Sequence, residues 1–262
     1  MVSTVLLAVG VVGALLLGLL AGALVNTLAD RVEGVDEPIW SASQCRKCLA
    51  PLPAPSLFAL RELIAPGRVC GACGKRASLR RPLTQLALAL LLPAALWRAW
   101  AGPSLSALPP WALFVMAAVS LTTLAFIFVV DLEHRLIFDL SIFPLALGLL
   151  LIVGIFDRGS LLPLGFAALI GGGLFLLFYG LGWLLYRQEA LGFGDVKLGL
   201  LLGVLVGWPN ITTALVATAI SAAILSGLLL ASGAAGRNSF IPFGVFMAGA
   251  AALTLLIAPL PW

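Results

Sequence analysis

The sequence predicts an all-α, polytopic membrane protein of about eight transmembrane helices, with a small cytoplasmic zinc-knuckle domain after the first. Three observations predict it. Of 262 residues, 62% are hydrophobic and 10% charged, where a soluble domain carries about 25% charged residues. Apolar runs long enough to span recur along the chain. The basic residues also segregate between alternate connections, as topology signals do.

The apolar runs cover residues 4–26, 82–100, 108–130, 136–156, 161–186, 194–209, 211–231 and 240–260. The first is too long, and too poor in basic residues before it, for a cleaved signal peptide, so it is expected to be a span. The sixth is short and carries Asp195 and Lys197 near its start. With eight spans, Arg31, Arg46, Lys47, Arg61, Arg68, Lys75, Arg76, Arg80, Arg81, Arg135, Arg187, Lys197 and Arg237 share one side, and only Arg98 and Arg158 fall opposite. The positive-inside rule places the crowded side in the cytoplasm and both termini outside. Three regions follow: a first transmembrane helix over 1–26, a cytoplasmic loop domain over 27–81, and a seven-helix membrane domain over 82–262. The net charge of +4 calls for no nucleic-acid partner; lipid is the surrounding medium.

All four cysteines lie in the loop, as C-x2-C, 21 intervening residues, and C-x2-C: Cys45, Cys48, Cys70 and Cys73. Two such knuckles complete a tetrahedral S4 zinc site. Arg46, Lys47, Arg68, Lys75 and Arg76 stand close by in sequence, where positive charge favours thiolates. A closed S4 site has no open position, so the expected ion is structural. Two disulfides are the alternative, disfavoured in a reducing compartment. A loop of some fifty residues with few apolar groups needs a staple of this kind.

Charge inside a membrane marks function by default. Two stretches carry it: "FIFVVDLEHRLIFD", with Asp131, Glu133, His134 and Asp139, and "GFGDVK", with Asp195 and Lys197. Two complete spans separate Asp131 from Asp195, so both are expected at the same, cytoplasmic membrane edge. Two close carboxylates do not both ionise readily, and a pair sharing one proton has aspartic peptidase chemistry. Gly192 and Gly194 would let a substrate backbone approach. Gly199, Gly203 and Gly207 recur every four residues and would pack the sixth helix tightly. The glycines of "IGGGLF" at 171–173 fit helix packing, since no strand precedes them to make a nucleotide loop. Plainer readings stand beside these. Asp195 would be an N-cap, Lys197 a snorkelling charge, Asp131 the end of a span and Asp139 the start of the next. Glu133 and Arg135 would lie in a solvated loop, and His134 at the interface.

Six stretches in order resemble the prepilin peptidases, the leader peptidase family of type IV pilus and type II secretion systems. They are "GALVNTLADR", the two cysteine knuckles, "RRPLTQLALALLL", "DLEHRLIFDLSIFPLALGLL", "GFGDVKLGLLLG" and "IPFGVFMAGA". The resemblance covers nearly the whole chain. It implies a GxGD-type membrane aspartic peptidase of the bacterial inner membrane, with Asp131 and Asp195 as its catalytic pair. It implies cleavage of a short basic leader from prepilins or pseudopilins, just after a glycine, at the cytoplasmic face. For cysteine-bearing members it further implies N-methylation of the new amine from S-adenosylmethionine, for which no pocket is legible. Phe138 stands where the family usually has proline, and Gln85 where it usually has glutamate. A proton-coupled transporter is the alternative function. It would want acids near the bilayer midplane and an internal repeat, and the sequence shows no convincing repeat between its halves.

Overall fold

Each apolar run becomes a helix in the computed structural model, because a helix satisfies every backbone group within its own segment. The structure describes residues 2–32, 72–74, 79–104, 108–187, 191–233 and 241–262. Among them are eight α-helices: α1 Val2–Ala29, α2 Arg80–Ala101, α3 Pro110–His134, α4 Asp139–Phe156, α5 Leu161–Tyr186, α6 Phe193–Val206, α7 Asn210–Ala231 and α8 Gly244–Ile257. Six are long and apolar enough to cross a membrane. The other two, α6 and α8, have 14 residues each. That is about 21 Å of helix, against a hydrocarbon core of about 30 Å. By length and composition, six of the eight expected spans are met among the described residues, accompanied by two shorter helices, of which α8 is apolar and α6 carries Asp195 and Lys197.

The chain divides into two units, Met1–Trp97 and Arg98–Trp262. In the first, α1 and α2 run antiparallel at backbone contact. A Cβ on Gly18 would meet the Leu88 backbone, and one on Gly22 would meet the Gln85 backbone. Asp30 closes the loop end of this hairpin by accepting from Arg80 and, at 2.6 Å, from Arg81. Asn26 Nδ2 donates to the Arg81 carbonyl at 2.9 Å.

In the second unit α6 is the central element. It packs on α4, α5, α7 and α8, and every residue from Leu198 to Val206 except Leu200 is buried. Its tightest partner is α5. Gly199 lies against Gly171, and Gly203 against the backbone of Ala167 and Ala168, with no room for a Cβ at either glycine. The expected packing roles of Gly199, Gly203 and Gly171 are therefore observed. Gly207 differs: it caps the end of α6 at φ +63 rather than continuing the helix face. Leu162, Leu169 and Leu184 stand largely exposed on α5, as side chains facing lipid do.

Arg98, an exception in the charge pattern, is 7% exposed. Its guanidinium donates to the carbonyls of Ala258 and, at 2.8 Å, Pro103. It is a clamp within the second unit rather than a surface charge.

Candidate active site

Asp131 sits in the last turn of α3 and is 4% exposed. Its Oδ2 accepts the Val245 N–H at 2.9 Å, and the carboxylate also accepts from Gly244 N–H. These donors open α8, where N–H groups lack intrahelical acceptors and the helix dipole presents its positive end. Gly244 makes the approach possible: a Cβ there would stand 2.8 Å from Asp131 Oδ2. The Asp131 backbone carbonyl accepts from Arg135 N–H at 2.9 Å, and Arg135 ends the helix in the left-handed region at φ 56. One residue thus ends α3 with its main chain and caps α8 with its side chain.

Asp195 is the third residue of α6, following the N-cap Gly192. Its N–H donates to the Gly192 carbonyl at 3.0 Å, and its carboxylate accepts from Gly192 N–H. This is the reaching-back half of a capping box. Asp195 therefore caps its helix from inside and is not the N-cap. It is half-buried, and the start of its helix shares a neighbour with the Asp131 seat: Ile137 lies 3.2 Å from the Cβ positions of both Gly194 and Gly244. The juxtaposition arises because α3 and α6 both pack on α8, which fixes the two helix ends beside each other.

The two glycines of the "GFGD" stretch occupy different surroundings. Gly192 is exposed, and among the described residues a Cβ there would have only Asp195 Oδ2 nearby, at 3.6 Å. Gly194 faces Ile137, whose Cβ would lie 3.2 Å from an added Cβ. The same Ile137 lies 3.2 Å from the Cβ position of Gly244. Its side chain is wedged between the starts of α6 and α8, so the connection from α3 to α4 is keyed into the site.

A second tie reinforces that connection. Lys197 Nζ donates to both Asp139 oxygens, at 2.6 and 2.9 Å, and lies 5.3 Å from the Phe193 ring centroid. Asp139 does open α4, but Lys197 reaches a carboxylate instead of snorkelling alone. Glu133 and His134, expected in a loop and at the interface, lie in the last turn of α3, both half-buried. Helix α3 outruns its apolar stretch by four residues because no proline or glycine stops it. Aromatic rings surround the site, with Phe175 against Phe243 at 5.8 Å and Tyr179 against Phe193 at 5.7 Å.

The sequence marked Asp131, Asp195 and the glycines. It did not mark Gly244, the Val245 amide or Ile137. The available signal was a glycine at the opening of an apolar run, in "IPFG", where close approach rather than chain reversal explains it. Gly244→Ala is expected to push the Asp131 carboxylate off the Val245 amide. Turnover should fall on the order of 10- to 10²-fold through misplacement, with the thermal midpoint in detergent unchanged; wild-type turnover would show that this carboxylate needs no such seat.

Of the four cysteines, only Cys73 is described; it is half-buried in a turn just before Gly74, whose φ is +71. Cys45, Cys48 and Cys70 lie outside the described residues. Among the described residues no group of three or more His, Cys, Asp or Glu side chains is placed to hold a metal.

Comparison with known proteins bears on the whole chain. Residues 118–230 match the model of the type IV leader peptidase family. Residues 16–99 match the bacterial peptidase A24 N-terminal domain. A prepilin leader peptidase/N-methyltransferase of Aeromonas hydrophila is 32% identical over 86% of this chain and 76% of its own length. The chain belongs to the type IV leader peptidase family. Leader peptidase/N-methyltransferases of Pseudomonas putida and Pseudomonas aeruginosa are 29% and 28% identical, over 93% and 92% of this chain and 89% and 88% of theirs. No solved structure matches. As a type IV leader peptidase family member the chain is a peptidase, and no match points to a transporter. The family match over 118–230 takes in α3 to α7 with both aspartates, and stops before Gly244 and Val245.

Proposed function

We propose that Asp131 and Asp195 are the catalytic dyad of an aspartic endopeptidase that cuts the short basic leader from type IV prepilins or pseudopilins. One observation carries this: two acidic side chains from separate helix ends, Asp131 against Gly244 and Asp195 beside the exposed Gly192, are brought together around Ile137, which lies 3.2 Å from the Cβ positions of both Gly194 and Gly244. The ionised carboxylate takes a proton from water, whose oxygen attacks the scissile carbonyl carbon. The protonated carboxylate polarises the carbonyl oxygen. Collapse of the tetrahedral adduct breaks the C–N bond, and a proton passes to the leaving amine. Asp131, seated on two α8 amides, suits the anionic role, because helix starts favour negative charge. Asp195, with the single Gly192 amide, suits the proton donor.

The relatives' names pair the peptidase with an N-methyltransferase. A second step on the new N-terminal amine, with S-adenosylmethionine as methyl-donating co-substrate, is consistent with that pairing. The basic residues crowd on the side of the loop domain, and Arg135, Arg187 and Lys197 lie near the dyad in sequence. This supports a multi-pass protein of the bacterial inner membrane with the dyad facing the cytoplasm. The deciding experiment incubates the purified protein in lipid with a prepilin and measures product mass. Loss of the leader is expected, with one added methyl group when S-adenosylmethionine is supplied; an intact prepilin would overturn the assignment.

The loop cysteines fit a structural zinc site. Gly74 directly after Cys73, with its positive φ, supports a tight knuckle turn. Metal analysis should find one zinc per chain, lost in a Cys45→Ser/Cys70→Ser double variant. Stoichiometric zinc in that variant would place the ion elsewhere.

A further inference from the structure

Helices α5 and α6 meet in one fixed antiparallel register. Gly171 lies against Gly199, Ala167 against Gly203 and Leu164 against Gly207. Between the first two pairs, four residues along one helix match four along the other, and the same step in the other direction sets Asp195 level with Phe175. From there α5 continues through 11 further residues to Tyr186, about 16 Å of helix. The other side repeats the pattern. Asn210 Nδ2 donates to the Pro259 carbonyl at 2.7 Å, which aligns the start of α7 with the end of α8. Helix α7 then runs 22 residues against 14 in α8, an overhang of about 12 Å. Both overhangs remain apolar and exposed, with Leu177, Phe178 and Leu184 on α5 and Leu228 on α7. The α5 overhang ends on a charge, the Arg187 guanidinium, which lies 5.8 Å from the Trp183 ring centroid.

We propose that the dyad lies at the floor of a water-filled notch, sunk into the bilayer by about the length of the α5 overhang. At that depth the chain is not helical at Leu191, Gly192, Ile241 and Pro242, and two helices begin there. Hydrocarbon does not tolerate such backbone unless protein or water covers it. Gly192 is exposed, and among the described residues only Asp195 comes within 4 Å of the Cβ position it lacks; exposed non-helical backbone at that depth takes water as its cover. The same water is the nucleophile of the proposed reaction. A scissile bond must then descend to the dyad, leaving the membrane surface in extended form. This specifies the site proposed above and rests on that function only in what enters the notch.

Thiol labelling tests it. The full chain in lipid nanodiscs, where both membrane faces are open, is treated with a charged maleimide, and modification is mapped residue by residue by mass spectrometry so that the native cysteines stay. Gly192→Cys, or Phe193→Cys if that variant does not accumulate, is expected to label within about tenfold of an exposed thiol. Leu177→Cys, lipid-facing and close to the same depth, is expected to remain unlabelled. Protection of both floor cysteines would mean a dry site. Equal labelling at Leu177 would put the dyad at the membrane surface. Neither result needs a substrate, so failure here is distinct from failure of the cleavage assay.

Discussion

Asp131→Asn and Asp195→Asn are each expected to abolish leader cleavage. The loss should be on the order of 10⁴-fold, and the double variant should lose no more than either single one, because groups acting as a unit do not add. Asparagine is the informative substitute. Its carbonyl oxygen still accepts from Val245 at position 131, or from Gly192 at position 195, so the helix starts remain capped. What disappears is the capacity to hold or give up a proton. Unchanged thermal midpoints in detergent, together with no product by mass, are the expected pair of readings. Near-normal cleavage by either variant would remove that aspartate from the reaction.

Gly203→Val is expected to have the largest effect on folding. A Cβ at Gly203 meets the backbone of Ala167 and Ala168, and backbone has no rotamer with which to yield. Helix α6 must then move off α5, and α6 carries Asp195. Overpacking a well-packed core costs about 1–3 kcal/mol, and here the obstruction is the least forgiving kind. The midpoint should fall by about 5–10 °C, with activity lost in parallel. Gly173→Val is the control, since nothing lies within 4 Å of its Cβ position. A Gly203→Val protein as stable as Gly173→Val would mean that the two helices are not in backbone contact.

Most helices were legible because each apolar run is bounded by polar residues. The exceptions have local causes. Helix α3 runs on through Asp131 to His134 because those residues are compatible with helix, and its stop is Arg135 in a left-handed conformation that carries no glycine signal. The limits of α6 were blurred because Gly192 and Gly207 resemble the packing glycines between them, although both act as caps. The shared end of Asp131 and Asp195 follows from counting spans. Their seating does not, since the Gly244 and Val245 donors are main-chain groups that any residue but proline supplies. The Asp139–Lys197 pair joins residues 58 apart, a separation with no periodic signature.

The Arg98 clamp has a consequence for biosynthesis. One of its acceptors, the Pro103 carbonyl, is made almost at once, but Ala258 follows 160 residues later. During synthesis the guanidinium therefore waits through six further helices before its second acceptor exists. The far end of the second unit closes only when α8 has been inserted, so a chain stalled after α7 exposes an unsealed positive charge.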